Sequence, residues 1–272
     1  MKAGIIVLAG LLLILPSTAF GEVHEGVIGK GEAAVVGITA EQGQVIALQR
    51  ARASAVEQAA GVHVLGSTLV RDGALVADFL KCFTRGFITK ERVSWLPLSS
   101  LQGVNQGPPI PLYGVIIEAT VVVPERKIDP AFRLEAALNR DFFHAGDKAV
   151  ITATVSKKAR LAVFNFTADD RVVMLYPRCQ KDEKVFMGAS DTFRFPSPGS
   201  GMLLEMATLP GHSRDSEAFM VVATPVDCED PVRFLAFFAV DESYGVPEFF
   251  SRYSTLADRI VEQVLPYEVI RK

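Results

Sequence analysis

The second half of the sequence consists of short apolar runs separated by turn residues. Ile151, Ala153 and Val155 alternate with threonines, and further runs follow at residues 161–166, 171–176, 202–209 and 218–224. Each run has the length of one strand, and the turn signals between them include Ala168-Asp169-Asp170. Because a sheet buries one apolar face against another, repeated short strands at this spacing favour a β-sandwich.

The C-terminal tail departs from this strand pattern. Residues 247–265 carry apolar side chains at helical spacing, and a short apolar run follows at residues 267–270. We expect a helix that covers an edge or a face of the sandwich, followed by a strand. Residues 131–272 are therefore predicted to form a β-sandwich-like domain with a C-terminal helix and strand.

The first half begins with a strand pattern at residues 32–37 and continues with a helical one. Thr39 is a candidate N-cap, and Gln42 stands at capping-box spacing from it. Small and apolar residues then recur at helical intervals, and Gly61 stands where a left-handed residue would end the helix. The face comprises Leu48, Ala51, Ala55, Ala59 and Val62. So many alanines on one face predict close approach of this helix to a sheet.

Further elements complete the first half. A strand is predicted at residues 62–70, a helix from Leu75 to Gly86, and two longer strands at 87–98 and 112–123. Residues 124–130 are charged and flanked by prolines, which is typical of a linker. The fold class is therefore α+β: a small helix-on-antiparallel-sheet domain at residues 22–123, a linker at 124–130, and the sandwich-like domain.

The N-terminus has the pattern of a signal peptide. Lys2 precedes an apolar run at residues 5–15, and small residues follow at 17–21. The run is shorter than the roughly 20 residues of a membrane-spanning helix, and Pro16 closes it. We expect cleavage after Ala19 or Gly21, which makes residues 1–21 the signal peptide and places the protein in the periplasm or outside the cell. An uncleaved anchor is the alternative.

The composition is that of a folded globular protein, with 49% hydrophobic and 22% charged residues. The formal net charge is −3, so the sequence lacks the basic character that nucleic acids and anionic lipids select. We therefore expect neither a nucleic-acid partner nor stable membrane insertion after the signal is removed. The expected partners are proteins of the cell envelope.

Three cysteines occur, an odd number for an oxidising compartment. Cys179 and Cys228 lie in the same predicted domain, and we expect them to form a disulfide that leaves Cys82 buried and free. The alternative is that all three thiols stay reduced.

The sequence offers no catalytic, cofactor or metal motif. The four histidines have no second ligand at metal-binding spacing. Residues 211–213 (Gly-His-Ser) lie near Asp215, but a nucleophile elbow needs a serine between glycines, and that motif is absent. Gly29-x-Gly31 precedes a strand, whereas a dinucleotide site needs a longer glycine pattern after one. We expect no enzymatic activity and no cofactor.

One loop is longer and richer in proline than a plain hairpin requires. It spans residues 102–111 and contains Pro108, Pro109 and Pro111, which restrict the chain and can hold an exposed surface in shape. This loop is the candidate interaction site; a tolerated insertion is the alternative.

Parts of both halves resemble known families. Leu138-Asn139, Phe143, Gly146-Asp147, residues 161–165, residues 175–177 and Ala223-Thr224 follow one another as in the bacterial domain of unknown function 4384. The resemblance spans about residues 130–240 and implies an exported or membrane-tethered accessory module. The Gly-x-Gly-x-Ala opening at residues 29–33, the alanine-rich helix and residues 59–62 are similar to the N-terminal domain of flagellar assembly protein T and of some envelope lipoproteins. No lipidated cysteine is present near the predicted cleavage sites, unlike in those lipoproteins.

Taken together, export, composition and these resemblances predict a non-catalytic adaptor or scaffold in a periplasmic assembly. The alternative is a small-ligand or glycan-binding module with a pocket between the domains. Only Trp95 and Tyr113 hint at such a pocket, and both have suitable positions for core packing.

Overall fold

The structure of the protein is a computed structural model that describes residues 21–61, 85–102, 108–125, 129–189, 191–226 and 232–272. The described chain is mostly β, with several sheets and a C-terminal helix. The strands and the two longer helices are β1 (Gly21–Ala34), α1 (Ala40–Ala60), β2 (Phe87–Trp95), β3 (Ser99–Leu101), β4 (Ile110–Pro124), β5 (Leu134–Leu138), β6 (Phe142–His144), β7 (Lys148–Ala149), β8 (Ile151–Val155), β9 (Ala159–Phe166), β10 (Arg171–Tyr176), β11 (Phe193–Phe195), β12 (Leu204–Glu205), β13 (Arg214–Pro225), β14 (Ser243–Gly245), α2 (Val246–Tyr253) and β15 (Val261–Ile270).

The first half, residues 21–125, contains an antiparallel sheet in the order β1–β4–β2, with β3 also paired to β4. The predicted strands at 87–98 and 112–123 correspond to β2 and β4. The strand predicted at residues 32–37 instead ends at Ala34 and begins at Gly21, because the whole of β1 pairs with β4. The predicted strand at 62–70 and almost all of the helix predicted from Leu75 to Gly86 lie outside the described residues.

Helix α1 begins and ends as the sequence predicts. The Thr39 hydroxyl accepts a hydrogen bond from the Gln42 backbone N–H at 3.2 Å, and the Gln42 side chain accepts one from the Thr39 N–H at 2.9 Å. Gly61 ends the helix in the left-handed conformation, with φ of 64°. The capping box and the C-cap are therefore confirmed.

Helix α1 lies very close to β1 and β4 because small residues face each other. Ala47, Ala51 and Ala55 are fully buried. A Cβ atom added at Gly31 would overlap the carbonyl oxygen of Ala47, and one added at Gly29 would overlap that of Ala51. The prediction of close approach is confirmed, and Gly29-x-Gly31 serves helix packing.

The second half, residues 129–272, is built around a six-stranded sheet in the order β14–β10–β9–β13–β15–β6. A three-stranded sheet, β11–β8–β5, packs against it through β5, which contacts β13 and β15. The strands predicted at 161–166, 171–176 and 218–224 are present as β9, β10 and β13. The strand predicted at 202–209 is wrong in extent, since only Leu204 and Glu205 pair there, with β7.

The tail differs from its prediction. The helix predicted over residues 247–265 ends at Tyr253, and residues 261–265 instead begin strand β15. β15 pairs with β13 from Val261 to Ile270, and this long ladder outweighs the helical spacing of the apolar residues. Helix α2 packs against β2 of the first sheet and against β10 and β14, so it lies between the two halves.

Two apolar cores follow from this arrangement. One lies between the six-stranded and three-stranded sheets and includes Phe143, Phe219 and Tyr267. The other is continuous from the first sheet to the opposite face of the six-stranded sheet. In this core the rings of Phe87 on β2 and Phe250 on α2 stack, with their centroids 5.5 Å apart. The two halves of the chain therefore share this second core.

Candidate functional site

Almost half of the exposed large apolar side chains among the described residues lie at one end of the first sheet. Exposed prolines lie beside them. We call this surface the uncharged end; it comprises Val36, Trp95, Leu96, Leu98, Leu101, Pro108, Pro109 and Pro111. Leu98 is 61% exposed and Trp95 is 45% exposed.

Strand pairing holds these residues together. Leu101 lies opposite Ile110 and Ser99 lies opposite Leu112, so β3 and β4 continue the hairpin beyond β2. The Leu96 N–H donates to the Gly114 carbonyl of β4 at 2.9 Å, so the chain between β2 and β3 is also held to β4. Val36 reaches this end because the Val35 N–H donates to the Pro111 carbonyl at 2.9 Å.

The segment that contains all of this surface except Val36 carries no charge. No Asp, Glu, Lys, Arg or His occurs at residues 93–117, although 22% of the whole chain is charged. The charged residues that flank this segment, Arg92 and Glu118, form a surface ion pair with each other at 3.1 Å. Depletion of charge with an exposed aromatic residue is typical of the central part of protein interfaces.

The predicted interaction loop forms part of this surface. Pro108, Pro109 and Pro111 are all exposed, and Pro111 lies within β4. Residues 103–107 of the loop lie outside the described residues. The core position expected for Trp95 is wrong, because β2 is an outer strand of the first sheet and leaves this side chain 45% exposed. Tyr113 does pack against the shared core.

A buried ionic cluster joins the two halves at a distance from this end. Arg52 of α1 is 2% exposed and donates two hydrogen bonds to the Glu91 carboxylate of β2, at 2.8 and 2.7 Å. Its third contact is with Asp170, in the turn between β9 and β10, at 2.6 Å. Burial alone lowers the pKa of Arg52, but its contacts with Glu91 and Asp170 raise it above its usual range.

A second polar cluster lies where β13 meets β9 and β15. The Tyr267 hydroxyl lies 2.5 Å from Oε2 of Glu217 and 2.9 Å from Oδ1 of Asn165. The Ala168 N–H donates to the other carboxylate oxygen of Glu217 at 3.2 Å. Burial raises the pKa of Glu217, and its hydrogen bonds with Tyr267 and Ala168 only partly oppose this. No local pattern in the sequence predicts this cluster, because its members meet only through strand pairing.

His212 and Asp215 lie next to this cluster. Nδ1 of His212 is 2.6 Å from Oδ1 of Asp215, and the Leu209 N–H donates to the other carboxylate oxygen at 2.5 Å. The Gln42 side chain of α1 donates to the Arg214 carbonyl at 2.6 Å, which ties the helix start to β13. Asp215 thus orients His212 and holds the turn before β13.

Two of the three cysteines lie outside the described residues. Cys179 is exposed, whereas Cys82 and Cys228 lie outside the described residues, so the disulfide stays a prediction. Within the described ranges no three His, Cys, Asp or Glu side chains are grouped to hold a metal ion. The same part of the chain contains no helix long and apolar enough to cross a bilayer.

Comparison with known families identifies a match in the second half of the chain. The model of the family described as Domain of unknown function (DUF4384) matches residues 143–226, in agreement with the resemblance of the C-terminal part. A search of curated proteins found no match to the chain.

The residues that carry this resemblance hold turns in place or pack in the core. The Asn139 side chain accepts from the Val150 N–H at 2.8 Å, and Asp147 accepts from the His144 N–H at 2.9 Å, so both fix turns. Gly146 has φ of 90°, which favours glycine. Phe143 is fully buried against Tyr267. These residues build the fold of the second half.

Proposed function

We propose that the protein is a non-catalytic exported envelope protein that acts as an adaptor or scaffold in a periplasmic assembly, and that the uncharged end is its contact surface. The observation that carries this proposal is the concentration of exposed apolar side chains in a segment without charge. Exposure of such side chains to water costs about 25 cal/mol per Å² of apolar surface, and burial against a partner protein removes that cost.

The connection between the two halves supports a scaffold. Arg52, Glu91 and Asp170 form a buried ionic contact between α1, β2 and the β9–β10 turn. Phe87 and Phe250 pack across the same boundary. A protein that holds other components in place benefits from halves that do not move against each other, and a shared core supplies that rigidity.

The finer organisation is part of the proposal. Residues 1–21 act as a cleaved signal peptide, and the chain comprises a helix-on-sheet domain and a β-sandwich-like domain. Contacts of α1 with β1 and β4 support the first, and the core between the six-stranded and three-stranded sheets supports the second. The resemblance of residues 29–62 to flagellar assembly protein T suggests a flagellar setting for the assembly.

The test compares two charge insertions in cells that make the protein. Leu98→Asp places a carboxylate in the uncharged end, and Leu203→Asp is its matched control, because Leu203 is 60% exposed in the second half. Gel filtration of the periplasmic fraction should show the wild type and Leu203→Asp in an assembly larger than the monomer. Leu98→Asp should elute at a smaller size. Equal elution of all three proteins would contradict the proposal.

A glycan-binding module is the second candidate, favoured by the exposure of Trp95. Exposed indole rings present a flat apolar face of the kind on which sugar rings stack. Trp95 is the only tryptophan in the chain, so its emission reports directly on this site. Saturable change of that emission with soluble peptidoglycan fragments would favour this candidate, and a constant emission would exclude it.

A further inference from the structure

We propose that the partner of the uncharged end is a second copy of the same chain, so that the scaffolding unit is a symmetric dimer. This inference rests on the proposed function and names the partner of the same surface. Three observations carry it: the absence of charge at residues 93–117, the open edge of β3, and the two serines that lie between apolar side chains.

The first observation concerns charge. In a two-fold symmetric contact each surface meets its own copy, so any net charge on the surface repels itself. The whole chain carries a formal net charge of −3, which opposes most self-contacts. Residues 93–117 carry none, and Arg92 and Glu118 at the border neutralise each other. Residues 93–117 can therefore approach a copy of themselves without repulsion between like charges.

The second observation concerns the sheet edge. Within the described ranges β3 pairs only with β4, so its other edge presents backbone N–H and C=O groups to the surroundings. An open strand edge is completed by another strand, and two copies of β3 can pair in antiparallel fashion across a two-fold axis. Leu101 lies in β3 and Leu98 directly precedes it, so the contact would bring both side chains close to the second copy.

The third observation distinguishes a protein partner from a lipid surface. Ser99 and Ser100 are exposed between Leu98 and Leu101. The hydrocarbon core of a bilayer leaves hydroxyl groups and open strand edges without hydrogen-bond partners, which costs several kcal/mol per backbone group. A second strand of the same sequence offers partners to both. The uncharged end therefore fits a protein better than lipid.

Sedimentation velocity of the full chain, purified after export, tests the inference. The wild type should change from monomer to twice the monomer mass between about 1 and about 100 µM. The change should persist between about 0.1 and 1 M NaCl, because an uncharged contact is not screened. Leu203→Asp should behave like the wild type.

Two variants at Leu98 test the symmetry. Leu98→Asp and Leu98→Lys should each weaken self-association at least about tenfold, since each places like charges in the same contact. Equimolar mixing of the two should restore a dimer, because the opposite charges then face each other. Both substitutions replace an exposed side chain, and far-UV circular dichroism checks that the variants are folded.

Three outcomes would overturn the inference. The wild type could remain a monomer throughout the concentration range, or the mixture of Leu98 variants could fail to associate. Alternatively, Trp95 emission could shift with neutral phosphatidylcholine vesicles while the protein stays monomeric, which would assign the surface to lipid. A monomer whose cellular assembly still depends on Leu98 would refute the dimer but keep the proposed function, whereas a monomer with no such dependence would refute both.

Discussion

Arg52 of α1 and Asp170 of the β9–β10 turn form a buried ion pair, with Nη1 and Oδ1 2.6 Å apart. Asp170 adopts a left-handed backbone conformation, with φ of 64°, that aims its carboxylate at the helix. Burial raises the pKa of Asp170, and the contact with Arg52 opposes that shift. The pair thus couples a turn of the second half to the first sheet.

Removing Arg52 should destabilise the whole chain. Arg52→Ala leaves the Glu91 and Asp170 carboxylates in a largely buried site without a cation, which typically costs about 3–5 kcal/mol. Urea unfolding measures this loss. Arg92→Ala is the matched control, because the Arg92–Glu118 pair is exposed and should contribute less than about 1 kcal/mol. An equal decrease in the free energy of unfolding of the two variants would show that the buried cluster stabilises the protein no more than the exposed pair does.

The stability of the protein should depend on the ionisation of Glu217. Burial raises its folded-state pKa above the usual value of 4.5, so the folded state holds its proton more tightly than the unfolded state does. The free energy of unfolding should therefore fall as the pH rises above 4.5 through the folded-state pKa. Glu217→Gln cannot ionise and should reduce that decline.

Urea unfolding between about pH 4.5 and pH 7 tests this prediction. Glu205→Gln, a substitution at an exposed position of β12, should keep the wild-type pH dependence. A Glu217→Gln profile that parallels the wild type would show that burial of Glu217 does not govern this range.

The close contact of α1 with β1 should not tolerate added side chains. Gly31→Ala places a methyl group against the Ala47 carbonyl and should cost about 1–3 kcal/mol through strain. Gly245→Ala is the control, since it adds a methyl group where φ is −66° and only the Arg171 side chain lies near. The midpoint temperatures of thermal unfolding compare the two variants. A wild-type midpoint for Gly31→Ala would contradict the close contact of α1 with β1.

The proline-rich loop should contribute to contact and not to folding. Replacing residues 102–109 by Asn-Gly joins Leu101 to Ile110, which already lie opposite each other, through a two-residue turn. The free energy of unfolding should change by less than about 0.5 kcal/mol. Self-association should weaken by about 1 kcal/mol, because Pro108 and Pro109 are lost from the surface. Unchanged self-association would remove the loop from the contact surface.

Local signals in the sequence were sufficient for several elements. The capping box of Thr39 and Gln42 and the C-cap at Gly61 depend on residues only a few positions apart. The same holds for the turn at Asp169 and Asp170, which the structure places between β9 and β10. Short apolar runs identified β8, β9, β10 and β13 of the second half, although β9 and β13 are buried on both faces and show no strict alternation.

Long-range pairing decided what the sequence could not show. Residues 261–265 have helical spacing, yet their partners on β13 make them a strand. Trp95 has the large apolar side chain of a core residue, and its exposure depends on its position at the end of β2, an outer strand of the first sheet. The missing charge at residues 93–117 was visible in the sequence, but its significance depends on knowing that these side chains lie together at one end of a sheet.

Photo-crosslinking from position 98 in living cells tests most directly whether the uncharged end is a protein contact surface. A benzophenone amino acid replaces Leu98 in one strain and Leu203 in another, so that both probes lie at equally exposed positions. The account predicts crosslinked protein products from position 98, including one of twice the monomer mass, and none from position 203. Absence of any product at position 98, or equal products at both positions, would contradict it.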